Sequence, residues 1–191
     1  MPELPTTPRG AATSRRILDA AAVEFAERGI AGARVDRITA AAQTNKAQVY
    51  GYFGSKDGLF DAVLADLADG LQGVVEFDAD DLPGSAVQLY DESLRRPELI
   101  RLMAWLRLER RPTGGLSGSD HGPKLEAIAR AQAAGRIRAG DPSDLMTLVI
   151  EMALAWSATS ALYAATRDDP AADHERRRAL LHSSVQRVVS P

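Results

Sequence analysis

Apolar side chains recur at helical spacing along most of the chain, which predicts an all-α protein of about nine helices. The first helix is expected to begin at Thr13 or Ser14 and to end at Gly29. Residues 1–12, which are rich in proline and threonine, are predicted to form a flexible arm. The inward face of the first helix carries apolar residues with the period of an amphipathic helix: Ile17, Leu18, Ala21, Ala22 and Phe25.

Two short helices follow, at about 35–42 and 46–53, and only residues 43–45 separate them. Two short helices joined by a tight turn form a helix-turn-helix, whose second helix enters the major groove of DNA. This pattern predicts a three-helix DNA-binding domain over residues 13–55. Helical spacing places five apolar residues of the two short helices inward: Val35, Ile38, Ala42, Val49 and Phe53.

The opposite face of the second short helix points outward and carries Lys46, Ala47, Gln48, Tyr50 and Gly51. A glutamine pairs with adenine through two hydrogen bonds, and a lysine reaches guanine or phosphate. The residue before the helix, Asn45, is a favourable cap, and Gln48 can close a capping box with it. The alternative is that Gln48 is only a cap and that the tyrosines only complete the core.

The rest of the chain is also predicted to be helical and to form a larger C-terminal domain over residues 56–191. The helix at 97–110 is apolar on nearly all sides, so we expect it to be central and buried. Residues 112–122 have the composition of a flexible loop. The six helices predicted in this domain lie at about 56–72, 83–94, 97–110, 123–139, 142–166 and 171–189.

Composition narrows the function classes further. Aromatic residues make up only 5% of the chain, which argues against a β-sandwich or barrel, and there is no cysteine. Disulfide scaffolds, cysteine-ligated zinc and thiol catalysis are therefore excluded. The three histidines lack the spacing of metal ligands, and no nucleophile elbow or phosphate-binding glycine motif occurs. We therefore expect no catalytic residues, no metal and no cofactor.

The charge is unevenly distributed. Residues 1–56 carry eight lysines and arginines against five acidic residues, whereas the remainder carries 15 against 21. Because residues 1–56 are basic and the rest of the chain is acidic, we expect that only the first segment binds a polyanion. The stretch from Met1 to Ala12 lacks the apolar core of a signal peptide, so we expect a cytoplasmic protein.

A long apolar stretch, Leu145 to Ala165, contains only one charged residue, Glu151. Its 21 residues are long enough to cross a bilayer. The central carboxylate and several hydroxyl side chains make a membrane span unfavourable, so no membrane contact is expected. A helix that is apolar all round is then either buried or part of a subunit interface.

The stretch from Gly29 to Leu59 resembles the DNA-binding region of the tetracycline-repressor (TetR) family of bacterial transcription regulators. The matching residues are Val35, Ile38, Ala42, Lys46, Val49, Tyr50, Tyr52, Phe53, Ser55, Lys56 and Leu59. The resemblance implies a homodimeric repressor that binds a palindromic DNA operator. It also implies that a small-molecule effector, bound in the C-terminal domain, releases the repressor from DNA.

The resemblance assigns residues to the contact with DNA and to the contact between the two chains of the dimer. At the DNA it implies Lys46, Ala47, Gln48 and Tyr50 in the groove, Tyr52 and Lys56 at phosphates, and Thr44 and Arg37 as further binding positions. It places the dimer interface on the helices at 142–166 and 171–189. The interface residues expected there are Met152, Leu180, Leu181, Val185 and Val188.

Three positions depart from the family pattern. Gln43 stands where the family usually has glycine, and a left-handed backbone there would cost about 1–2 kcal/mol relative to glycine. Ala33 replaces the threonine that usually caps the second helix, a role that Asp36 can partly take. Gly51 removes a side chain that in relatives often touches DNA.

Large, adaptable apolar side chains with a few polar groups suit a ligand cavity. The candidates of this kind are Met103, Trp105, Trp156 and Tyr163, with Glu151 as a polar group. The alternative for each aromatic residue and for Met103 is ordinary core packing, and for Glu151 a place at the dimer interface. Two other functions remain open: a DNA-binding regulator without an effector, and a helical enzyme or ligand carrier that kept the fold without binding DNA.

Overall fold

The computed structural model describes residues 7–69, 77–110 and 121–191. Within these ranges the chain forms nine α-helices and no β-strand, so the predicted all-α fold is confirmed. The helices are α1 Pro8–Gly32, α2 Val35–Ala41, α3 Lys46–Phe53, α4 Lys56–Asp69, α5 Leu82–Arg95, α6 Pro97–Arg110, α7 Gly122–Ala133, α8 Pro142–Ala153 and α9 Ala171–Val189.

The first helix begins earlier than predicted. The Thr7 hydroxyl accepts a hydrogen bond from the Gly10 amide at 3.2 Å, and Pro8 occupies the first turn, where its missing N–H costs nothing. Thr13, the predicted cap, is buried within the helix. Residues 8–12 of the predicted arm are therefore helical, and residues 1–6 lie outside the described residues.

Proline and aspartate set the starts of α5 and α8, as the sequence predicts for α8. The Asp81 carboxylate accepts the Gly84 amide at 2.9 Å at the start of α5. The Asp141 carboxylate accepts the amides of Ser143 and Asp144 at 2.8 and 3.2 Å at the start of α8. Hydrogen bonds from Ser143 and Asp144 lower the pKa of Asp141, because they stabilise its ionised form.

Two helices end before their predicted limits. The helix predicted at 123–139 ends at Ala133, because the chain turns through Gly135 with φ 68°. The helix predicted at 142–166 ends at Ala153 and is followed by turns. The buried Ser157 hydroxyl bonds Thr159 at 3.1 Å, an alternative to helical pairing that serine and threonine commonly offer. Residues 154–170 are therefore an irregular segment.

The chain divides into two compact units, Met1–Gln72 with Glu98–Arg111 and Gly73–Pro97 with Pro112–Pro191. We call these the first and the second unit. In the first unit, α1 packs against α2 and α4, and the Phe25 and Phe60 rings meet edge to face at 5.2 Å. The inward residues predicted for α2 and α3 are all buried in this core: Val35, Ile38, Ala42, Val49 and Phe53.

The second unit is built on α5, which packs against α8 and α9. Its core contains the fully buried Tyr90, whose hydroxyl lies 2.7 Å from His174 Nδ1 on α9. An edge-to-face contact at 6.0 Å joins the Tyr90 ring to Trp156 in the irregular segment. These contacts fix the irregular segment against the helices of its own unit.

The prediction that residues 97–110 form a helix buried on all sides is wrong. Of the apolar residues of α6, Leu99 and Leu102 are buried, while Leu108 is 68% exposed. The helix carries five charged residues between Pro97 and Arg110, so one face packs in the first unit and another meets solvent. None of the helices in the described parts of the chain combines the length and the hydropathy needed to cross a bilayer.

Candidate nucleic-acid interface

The turn between α2 and α3 has the strained backbone that the sequence predicts. Gln43 has φ 51°, in the left-handed region that glycine occupies without steric cost. The Asn45 side chain then accepts the Gln48 amide at 2.9 Å and so caps α3, as expected. Val49 and Phe53 are buried beneath the helix and fix its rotation about its own axis.

One face of α3 is consequently left open to a partner. Lys46, Ala47, Gln48, Tyr50 and Gly51 are all exposed, as predicted. The helix is short, and these residues cover its outer side from the first turn to the last. An exposed helix of this kind can enter the major groove and present lysine, glutamine and tyrosine to base edges.

Two of these side chains have partners within the protein. Lys46 Nζ lies 2.8 Å from Asp36 Oδ1 on α2. The hydrogen bond that the Lys46 ammonium donates to Asp36 raises the pKa of Lys46, because it favours the protonated amine. The Thr44 hydroxyl donates to Gln48 Oε1, which holds the glutamine along the start of the helix.

Arg37, predicted at the DNA, is bound instead to a residue that the sequence reasoning missed. Glu24 on α1 is buried, and its carboxylate accepts Arg37 Nε at 2.8 Å and the Arg34 amide at 3.0 Å. Glu24 therefore binds, from another helix, the amide of Arg34, which is the N-cap residue of α2 and makes no side-chain cap hydrogen bond of its own. The Arg37 hydrogen bond is the main cause that lowers the pKa of Glu24. The sequence does offer a signal for this contact, because Glu24 is an acidic residue next to the inward positions of α1.

The two residues predicted to hold phosphates lie at the end of α3 and the start of α4. Lys56 Nζ is 3.3 Å from the Ala33 carbonyl oxygen and 3.4 Å from that of Ala31. Tyr52 is half-buried, and its ring meets Phe53 edge to face at 6.2 Å. The Lys56 ammonium thus ties the start of α4 to the segment before α2.

The predicted ligand residues do not share one unit. Trp105 and Met103 belong to the first unit, where the Trp105 indole donates to the Ala26 carbonyl at 3.3 Å. Glu151 is exposed on α8, in the second unit. Trp156 and Tyr163 line a cavity of ≈ 440 Å³ in the second unit, together with Asp173, Arg176, Arg177 and Leu180. The five residues are therefore divided between the two units, with Met103 and Trp105 in the first and Glu151, Trp156 and Tyr163 in the second.

Arg177, which lines this cavity, is held in place by Asp169, which does not line it. Arg177 Nη1 lies 2.8 Å from Asp169 Oδ2, its guanidinium covers the Tyr163 ring at 5.0 Å, and the Tyr163 hydroxyl donates to Asp169 at 3.0 Å. These groups favour the ionised carboxylate, with Arg177 the largest cause, and lower the pKa of Asp169 to about 2. The cavity therefore combines Arg177 and the Asp173–Arg176 ion pair with the apolar surfaces of Trp156 and Leu180.

Part of the predicted dimer interface is core. Leu181 and Val185 are 2% and 0% exposed, because they face α5 and α8, so neither can touch a second chain. Met152 and Val188 are half-buried against the same core. The apolar side chains that are exposed in this region are Leu148, Leu162, Tyr163 and Leu180, of which only Leu180 was predicted at the interface.

Both parts of the chain match known families. Residues 17–63 match the model of bacterial regulatory proteins of the tetR family, and residues 81–187 match the tetracyclin repressor-like C-terminal domain. The chain is 39% identical over 147 residues to the HTH-type transcriptional repressor SCO4008 of Streptomyces coelicolor. The aligned region covers 74% of this chain and 77% of that protein.

Solved structures show the same architecture. A protein of Streptomyces coelicolor described as a transcriptional regulator, SCO4942, is similar with a TM-score of 0.77 and 35% identity, over 93% of this chain and 98% of that one. A gamma-butyrolactone receptor is similar with a TM-score of 0.66 and 18% identity, over 96% of this chain and 90% of that one. At this identity the second likeness shows the fold alone.

Proposed function

Because this chain belongs to the TetR family and is a DNA-binding transcription regulator rather than an enzyme, we propose that it represses transcription from a palindromic operator and that a small hydrophobic effector releases it. The observation that carries the proposal is the orientation of α3. Val49 and Phe53 anchor this helix, while Lys46, Gln48 and Tyr50 are exposed on its outer side. Such a regulator acts on chromosomal DNA in the cytoplasm.

The side chains have different tasks in the operator complex. Lys46, Gln48 and Tyr50 lie along the major groove, with Ala47 close to the bases, where a methyl group contacts thymine. Thr44, Tyr52 and Lys56 hold the phosphates on either side and so set the register of the helix. Arg37 supports the interface from behind, because Glu24 already binds its guanidinium.

A palindromic operator needs two recognition helices about 34 Å apart, and one chain supplies only one. The second copy is expected to dock on apolar side chains that α8, α9 and the segment between them leave exposed: Leu148, Leu162 and Leu180. Large apolar side chains clustered on a surface are typical of subunit interfaces. Residues 13–55 then serve operator binding, and residues 56–191 serve dimerisation and effector binding.

The effector site of this proposal is the cavity beside Trp156 and Tyr163. Its volume of ≈ 440 Å³ falls within the range of small-molecule sites, which is about 300–1,000 Å³. A planar apolar group fits against the Trp156 ring. Intrinsic fluorescence tests this site, because Trp156→Phe should remove the emission change that a bound hydrophobic molecule causes, while Trp105→Phe should retain it.

Two substitutions test the operator contacts. Gln48→Ala should relax the preference at one base pair by about 1–3 kcal/mol, because a bidentate base contact is lost. Lys56→Ala should weaken binding to all duplexes alike, because a phosphate contact carries no sequence information. Fluorescence anisotropy with single-base operator variants separates the two effects, and Gln186→Ala on α9 is the matched control. If Gln48→Ala left discrimination at every position unchanged, α3 would not be the reading element.

A further inference from the structure

The first helix is interrupted near its end. Gly29 has φ 70° and ψ −178°, so the chain leaves helical geometry there and makes one further turn to Gly32. The amides that follow such a break have no helical acceptor and need another partner. Glu109 on α6 supplies it, because its two carboxylate oxygens accept the Ile30 amide at 3.1 Å and the Ala31 amide at 2.6 Å.

The fit between this break and α6 requires glycine. A methyl group at position 29 would lie 2.2 Å from Glu109 Oε1 and 2.9 Å from the Trp105 ring, well inside van der Waals contact. The Trp105 indole also donates to the Ala26 carbonyl, one turn earlier in α1. Two adjacent turns of α6 therefore hold α1 on both sides of the break.

The carbonyl groups of the same segment have different partners. Lys56 Nζ, at the start of α4, approaches the Ala31 and Ala33 oxygens at 3.4 and 3.3 Å. Arg37 Nη2, on α2, donates to the Gly32 oxygen at 3.0 Å. The Ile30 and Ala31 amides thus bond to α6, while the Ala31, Gly32 and Ala33 carbonyls bond to a cation on α2 and a cation on α4.

We propose that residues 29–33 are a junction through which α6 sets the positions of Arg37 and Lys56, with Glu109 as the positioning residue. A peptide unit is planar, so the Ile30 amide turns together with the Gly29 carbonyl, which accepts the Ala33 amide at 3.2 Å, and the Ala33 amide turns together with the Gly32 carbonyl that Arg37 binds. Loss of the Glu109 contact therefore reaches the Gly32 acceptor of Arg37 through two peptide units, and it also disturbs the neighbouring Ala31 and Ala33 acceptors of Lys56. This inference rests on the proposed function.

The test replaces the carboxylate without removing the side chain. Glu109→Gln should speed hydrogen exchange at the Ile30 and Ala31 amides about tenfold, because a charged hydrogen-bond acceptor is lost. In the free protein it should also shift the NMR signals of the Arg37 Nε–H and the Lys56 ammonium. Glu98→Gln is the matched control: Glu98 is exposed in the first turn of the same helix, and neither change is expected there.

Operator binding provides the second measurement. Glu109→Gln should lower operator affinity about five- to tenfold and reduce the salt slope by about 0.9 if one phosphate contact is lost. In a protein that already carries Lys56→Ala, Glu109→Gln should lower operator affinity by a smaller factor than it does in the wild type, because both changes affect the same contact. A residue that only stabilises the fold would lower the unfolding midpoint and leave the salt slope unchanged.

The outcomes separate the junction from the proposed function. If the Ile30 and Ala31 amides exchange faster while the Arg37 and Lys56 signals stay in place, Glu109 is only a helix cap and the junction is overturned. If Glu109→Gln does not fold, Trp105→Phe, which keeps the ring and loses the Ala26 bond, should shift the same two signals, and unchanged signals overturn the junction. If the wild-type chain binds no operator, the proposed function fails, and the signals of the free protein still decide whether the junction exists.

Discussion

Lys46 Nζ lies 2.8 Å from Asp36 Oδ1, so the first residue of α3 is paired with α2 before any DNA is bound. Both side chains are exposed, and an exposed pair of this kind adds little to stability. Its effect falls on binding instead, because the Lys46 ammonium must leave the carboxylate to reach a base or a phosphate. The carboxylate itself also repels the phosphate backbone.

Asp36→Asn is therefore expected to strengthen binding to duplex DNA of any sequence. The salt slope of binding should steepen by about 0.9 if Lys46 gains one phosphate contact. Asp168→Asn, an exposed acid of the second unit, is the control with the same change in net charge. Salt titrations by fluorescence anisotropy measure both slopes, and equal slopes for the two variants would show that the pair does not restrain Lys46.

Gln43→Gly is expected to stabilise the protein by about 1 kcal/mol, because glycine adopts the left-handed backbone without steric cost. The gain is smaller than the full strain, since glycine also makes the unfolded chain more flexible. Gln43→Ala keeps the strain and should bring no such gain. Urea unfolding measures both variants, and equal midpoints would mean that the turn stores no strain.

This turn and the recognition helix show what the sequence determines. Helical periodicity predicted which residues of α3 are buried, since Val49 and Phe53 are four positions apart and share one face. The left-handed backbone at Gln43 was indicated only by the resemblance to a family that usually has glycine at this position. Both features are local, because they depend on residues only a few positions away.

The second unit places an exposed leucine and a buried leucine at adjacent positions, Leu180 and Leu181. Leu180→Asp should leave each protomer folded and dissociate the dimer, because Leu180 is 54% exposed. Leu181→Ala should instead cost about 2–5 kcal/mol of unfolding free energy and leave the dimer intact while the protein stays folded. Light scattering gives the mass and circular dichroism the stability. A Leu180→Asp protein that remained dimeric would place the interface elsewhere.

Asp169 makes the stability of the second unit dependent on pH. Its pKa lies at about 2 in the folded protein, below the value of about 3.9 for an unfolded aspartate. The stabilisation is therefore present above about pH 4 and is lost as the pH falls towards 2. Asp169→Asn should lower the melting temperature at pH 7 and flatten its decline in acid, whereas Asp168→Asn should follow the wild type. Thermal unfolding across this range checks both, and parallel curves for the two variants would contradict the assignment.

The features that the sequence did not predict are those that depend on distant residues. Glu109 lies 79 positions from Ile30, and no local pattern indicates that its carboxylate caps a break in α1. Trp105 has a large aromatic side chain of the kind that lines ligand pockets. Its position beside Gly29 follows instead from how α6 packs. The sequence pattern also does not indicate that α8 ends at Ala153, since an apolar stretch with serines and threonines is compatible with a helix or with turns.

The most direct test of operator recognition by α3 is a selection of genomic DNA fragments with the purified wild-type protein at moderate salt. The expected result is a palindrome whose half-sites are about 34 Å apart, and the same selection with Gln48→Ala should relax one base pair in each half-site. Fragments without a shared palindrome, or an identical palindrome with Gln48→Ala, would contradict recognition by the exposed face of α3.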